Sequence, residues 1–184
     1  MMKYSLFVFL FLCPFWGWGQ VQPKKKKTPN TTTTAAHSEK SKLPDEIDRT
    51  LKLKLAVIQY FVAQPDDKGE TLFWQTKGKL TFGIVNYTEA QNPVFKELFI
   101  KQYHEMYKEY ILMISQGDVA ATTTFMQLLV RHELEYRALL TPEQLTLYRN
   151  AFQTMETSNR QTYDSYTGLF FSDSLLQAYQ NGFR

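Results

Sequence analysis

The stretch Leu140-Thr141-Pro142-Glu143-Gln144 decides the fold class, because it can only be the start of a helix that closely follows another. The Thr141 hydroxyl can accept a hydrogen bond from the amide of the third helical residue. Pro142 lacks an amide proton where none is needed. Gln144 can reach back to the Thr141 amide and complete a capping box. Downstream, Leu145, Tyr148, Phe152 and Met155 fall on one helical face. Upstream, Phe125, Leu128, Leu129, His132, Tyr136 and Leu139 trace the inward face of the preceding helix.

Working outward, Gly117 closes an earlier helix and Asp118 caps the one that ends near Leu140. The earlier helix spans about Pro93 to Ser115, with Asn92 as its cap. Phe95, Phe99, Tyr103, Met106, Tyr110 and Ile114 form its apolar stripe. Glu97, Lys101, Glu105 and Lys108 form its solvated face. A first helix runs from about Pro44 to Ala63, with Ile47, Leu51, Leu55, Ile58 and Val62 on one side. A last helix starts after Ser172 and ends before Gly182. Between Thr71 and Tyr87 the residues Leu72-Phe73-Trp74 and Leu80-Thr81-Phe82-Gly83-Ile84-Val85 are rich in β-formers, and Lys77-Gly78 could turn them into a short hairpin or extended segment. The expected class is therefore mainly α, an antiparallel bundle of about four to five helices with a short hairpin near 71–87.

Two segments precede this domain. Residues 1–19 read as a secretory signal peptide: Lys3, then an apolar run Ser5–Leu12 too short for a membrane span, then Gly17-Trp18-Gly19 at the cleavage position. Two alternatives are an uncleaved anchor and lipid attachment at Cys13, the only cysteine; Leu12 and Pro14 around it do not suit the second. Removal of the leader leaves no cysteine for disulfides, thiol chemistry or thiolate metal ligation. Residues 20–43 form a Lys/Thr-rich linker with no aromatic residue, expected to be disordered. Its six lysines against Glu39 leave a charge of +5, whereas residues 44–184 carry 14 basic and 17 acidic side chains, hence −3. The basic pI thus belongs to the linker. No basic, aromatic-bearing folded face appears, which argues against nucleic-acid binding. The cluster Lys24–Lys27 could touch an anionic surface, or simply be a solvated spacer. Residues 44–184 suit a single helical domain.

Chemistry is scarce. His37 lies in the linker, and His104 sits on a polar helix face. His132 is the one candidate functional residue, because it falls on an inward face where Glu135 or a tyrosine hydroxyl could satisfy it. His104-Glu105 and His132-Glu133 lack the second histidine of a zinc-protease helix. No Glu has a His three residues later, as a carboxylate-bridged metal bundle needs. Phosphate-loop, dinucleotide and nucleophile-elbow patterns are missing too, so the sequence names no catalytic, cofactor or metal-binding residue.

The stretch Glu133–Gln144 resembles the helix–Leu-Thr-x-x-Gln–helix element of the Spy/CpxP family of small exported helical proteins. The resemblance implies an ATP-independent envelope chaperone or stress sensor that holds unfolded clients on a curved helical dimer. It carries over Leu140, Thr141 and Gln144 in a structural role. A second copy of the motif would fall nearest at Tyr87-Thr88-Glu89-Ala90-Gln91, where Tyr stands in place of Leu and Pro93 follows closely.

Three functional readings follow. The first is an exported, periplasmic or extracellular, non-catalytic interaction protein that binds a protein partner or unfolded client through apolar and aromatic side chains. The domain's 21 aromatic residues among 141 are ample for a core, and a surplus could line either a partner groove or the helix seams. The second is a secreted enzyme with a site around His132. The third is a small structural subunit of an envelope complex.

Overall fold

The computed structural model describes residues 42–65 and 67–182, with side chains from Asp45 onward. The leader (1–19) and all but the last two residues of the linker (20–43) lie outside the described residues; Lys42 and Leu43 open the first helix. Seven helices follow in order: α1 (Lys42–Val62), α2 (Lys68–Val85), α3 (Asn92–Gln116), α4 (Val119–Ala138), α5 (Pro142–Ser158), α6 (Arg160–Thr167) and α7 (Asp173–Gly182). No strand occurs among the described residues, and none of their helices is long and apolar enough to cross a membrane.

Short connections fold these helices into a bundle. α2 packs on α1, α3 and α5; α4 packs on α3 and α7; α6 and α7 close onto α1. The core is strongly aromatic. Phe95, Phe99, Tyr136, Tyr148, Phe152 and Phe170 form a chain of ring contacts with centroids 4.8–6.2 Å apart, a spacing at which tilted and edge-on rings attract.

The segment expected as a hairpin is helix α2. Its buried positions are Gly69, Phe73, Lys77, Thr81 and Val85, one every four residues. Two of those five are polar, so the helical stripe is hidden from any count of apolar residues. β-propensity is a weak, context-dependent preference, and packing against three neighbouring helices overrides it. Gly78, read as a turn, lies mid-helix. Asn86 ends α2 in the left-handed conformation, φ 46°, its amide bonded to the Phe82 carbonyl. Gly69 is required for another reason: a Cβ there would stand 2.3 Å from both the Phe61 carbonyl oxygen and the Tyr103 hydroxyl.

Other differences are smaller. The α3 stripe ends at buried Met113, while Ile114 is 61% exposed; the eighteen residues from Phe95 to Met113 make five full turns at about 3.6 residues per turn, so 113 and not 114 returns to the seam. α3 begins at Asn92 itself, which instead accepts a hydrogen bond from the Tyr87 hydroxyl. Asn159 interrupts the C-terminal third: its side chain accepts from the Thr162 amide and starts α6. Together with α2, this break raises the count to seven. Gly117 at φ 66° and the Asp118 cap, bonded to the Ala121 amide at 2.7 Å, form the α3–α4 corner as expected.

Candidate functional site

The Thr141–Gln144 box forms with both reciprocal bonds: the Gln144 amide donates to the Thr141 hydroxyl at 3.2 Å, and the Thr141 amide to Gln144 Oε1 at 3.1 Å. Leu140 and Gln144 are buried and Thr141 is exposed. Residues Thr88 and Gln91 make the same pair of bonds, at 3.3 and 3.0 Å. Pro93 does not prevent this, because the Thr88 turn leads directly into α3 and Pro93 occupies the first turn of that helix, where its missing amide costs nothing. The two glutamine side chains then join: each amide nitrogen donates to the other's carbonyl oxygen at 3.0 Å. The starts of α3 and α5 are thereby fixed to one another.

Beside this joint lies a groove of about 520 Å³ between α2 and the first half of α3. Phe95 and Phe99 are its buried floor; Trp74 and Tyr87 are its half-buried walls. Phe82 stands 51% exposed at its rim. The tyrosine that replaces leucine in the second motif builds one wall. Its ring packs on Phe82 at 5.4 Å and on Phe95 at 4.9 Å. Gly78 lines the same wall, and the lysines Lys79 and Lys96 supply positive charge. Lys96 Nζ is held 4.7 Å over the Trp74 ring. Size and lining are those of a ligand or peptide site.

A second assembly lies behind the groove floor, around His132. His132 is buried, and its partner is Glu105 of α3 at 3.0 Å, not Glu135 or a tyrosine. Burial pushes its pKa down to about 4, with the Glu105 bond opposing and nearby Lys77 adding to the fall. The same bond is the main reason the Glu105 carboxyl is held low. Next to His132 are two lysines that the sequence reading passed over, Lys54 at 1% and Lys77 at 3% exposure, and the buried Glu133. Lys54 donates to the carbonyls of Thr167 and Phe170, at 2.7 and 2.6 Å, at the end of α6. It also lies 3.7 Å over the Phe171 ring. Lys77 donates to Gln102 Oε1 at 2.8 Å and faces the ring of Phe99 at 4.9 Å. Burial lowers Lys54 to about 7 and Lys77 to about 8, against the pull of Glu133. Glu133 accepts from Arg137 Nε at 2.7 Å and from the Tyr148 hydroxyl at 2.8 Å. Nearby, the buried hydroxyls of Thr81 and Tyr136 interact without either reaching hydrogen-bond geometry.

Lys54 and Lys77 carried a faint signal. Lys54 is spaced four from both Thr50 and Ile58, and Lys77 four from both Phe73 and Thr81, in the registers that are buried. A lysine in a core register breaks the apolar pattern, so periodicity alone does not reveal it as buried.

Among the described residues, no group of three or more His, Cys, Asp or Glu side chains is placed to hold a metal ion. No family model, curated protein or solved structure matches the chain.

Proposed function

We propose that this chain is an exported, non-catalytic binding protein of the chaperone type, which holds an apolar segment of a partner protein in the aromatic groove between α2 and α3. The carrying observation is the groove itself. Five aromatic side chains, the exposed Phe82 among them, converge on about 520 Å³, on a domain whose core is already well supplied with rings. Lys79 and Lys96 favour a segment flanked by acidic residues. The paired boxes at Thr88–Gln91 and Thr141–Gln144 support the Spy/CpxP-like reading, since that resemblance implies two copies of the motif. Export to the periplasm or beyond rests on the leader at residues 1–19, and the lysines of the linker add a contact with anionic surfaces.

The enzyme reading around His132 has less room. The cavity that His132 lines measures about 20 Å³, which holds one water-sized sphere and no substrate.

The test uses Trp74. Trp16 and Trp18 lie in the leader, so the processed chain has a single tryptophan, in the groove. Binding of a reduced, unfolded client or an apolar-acidic peptide should shift its emission and slow client aggregation. Phe82→Ala and Tyr87→Ala should abolish both effects with the fold intact. Unchanged client protection in these variants would exclude the groove.

A further inference from the structure

The charged cluster behind the groove is not balanced. Glu133 and Arg137 form one ion pair, and Arg137 also meets Asp173 at the surface. Lys54 and Lys77 have no carboxylate oxygen within 4.0 Å among the described residues. Two fully buried ammonium groups on neighbouring helices therefore face each other's field without a direct counter-ion, an arrangement that costs several kcal/mol per ion unless something compensates it. Both line the same internal cavity of about 20 Å³, together with His132, Glu133 and Phe171. Both retain N–H groups beyond the carbonyl and amide oxygens they already serve.

We propose that this cavity is a binding site for one small monovalent anion of the halide class, held between the ammonium groups of Lys54 and Lys77. Size selects the ligand. About 20 Å³ is room for a single monatomic ion or water and too little for the several heavy atoms of sulfate, phosphate or a carboxylate. The surroundings select it again. Phe73, Met106, Leu129 and Phe171 complete the wall, and a singly charged, weakly hydrated ion gives up its water more readily than a divalent oxyanion. Glu133 shares the wall, and Arg137 and Tyr148 both bind its Oε1, which draws that side of the carboxylate toward them.

The titratable groups around the site set its pH dependence. Lys54 comes from α1 and Lys77 from α2. His132 and Glu133 come from α4, with Glu135 further along it; Glu105 of α3 stands behind His132, and Tyr148 of α5 behind Glu133. α6 and the residues after it contribute only carbonyls and rings. The anion requires both lysines charged, so its affinity falls as pH rises above 7.

The experiment is thermal unfolding of the whole chain in sodium chloride, bromide or gluconate at matched ionic strength, at pH 6 and pH 9. Halides should raise Tm by several degrees over gluconate at pH 6, in proportion to the logarithm of concentration, and by little at pH 9. Lys77→Met should lose the halide increment. As a measurement that needs no variant, crystals grown in sodium bromide should show an anomalous peak in contact with both Nζ atoms. Superimposed halide and gluconate curves at pH 6, an undiminished increment in Lys77→Met, or no bromide peak at this position would each overturn the site. The charge surplus would then be relieved by one lysine giving up its proton.

Discussion

Lys77 and Gly78 are adjacent in the chain but belong to opposite kinds of surface. Gly78 lines an open aromatic groove, while Lys77 lies in a closed, charged interior, with Phe99 reaching both. The groove is built from side chains whose loss leaves no buried polar group behind. The interior is built from charges that depend on one another. Loss of a half-exposed groove side chain should leave the fold standing, whereas loss of one interior charge should not.

Four measurements would break or sharpen this contrast. The largest effect is expected from Glu133→Gln. It removes the only buried carboxylate among the described residues that faces Lys54, Lys77 and Arg137, and should cost about 3–5 kcal/mol in chemical denaturation, or the fold itself. The pH dependence comes next. Both lysines have folded pKa values, about 7 and about 8, below the ordinary 10.5. The unfolded chain therefore binds more protons across that window, and stability rises with pH from about 7 toward 10. For Lys77 alone the rise is about 3 kcal/mol at roughly 1.4 kcal/mol per pH unit. His132, lowered from 6.5 to about 4, adds a rise of the same sign between those values. Denaturation in halide-free buffer should show both, and Lys77→Met should reduce the upper one to the part due to Lys54. Third, Tyr136→Phe removes a buried hydroxyl that lacks an aligned partner; it should leave stability unchanged or raise it by up to about 1 kcal/mol. The smallest change in stability, within about 0.5 kcal/mol, is expected from Phe82→Ala in the groove, since Phe82 is half exposed. Large destabilisation by Phe82→Ala, or none by Glu133→Gln, would erase the distinction.

The same contrast explains what could be read from the residues alone. The corners at Gly117-Asp118 and Leu140–Gln144 were legible because caps are local: a few side chains satisfy a few amides, and no distant contact is needed. The stripes of α3 and α5 were legible because their core registers are apolar. α2 was not, because Lys77 and Thr81 occupy its core registers and its aromatic residues mimic a strand. Of the site, His132 was found by its place on an inward face. Its partner Glu105 lies 27 residues away on another helix, and the lysines around it come from two more. Such convergence is a property of packing, which a linear pattern does not contain. The groove is also a packing product: Trp74, Tyr87 and Phe95 become neighbours only once α2 folds back on α3.

The joined amides of Gln91 and Gln144 have a consequence for a change of medium. Neither member can gain or lose a proton, so neither acid nor brine loosens the clasp. Whatever the medium does to the ionised interior, the first turns of α3 and α5 keep a constant separation.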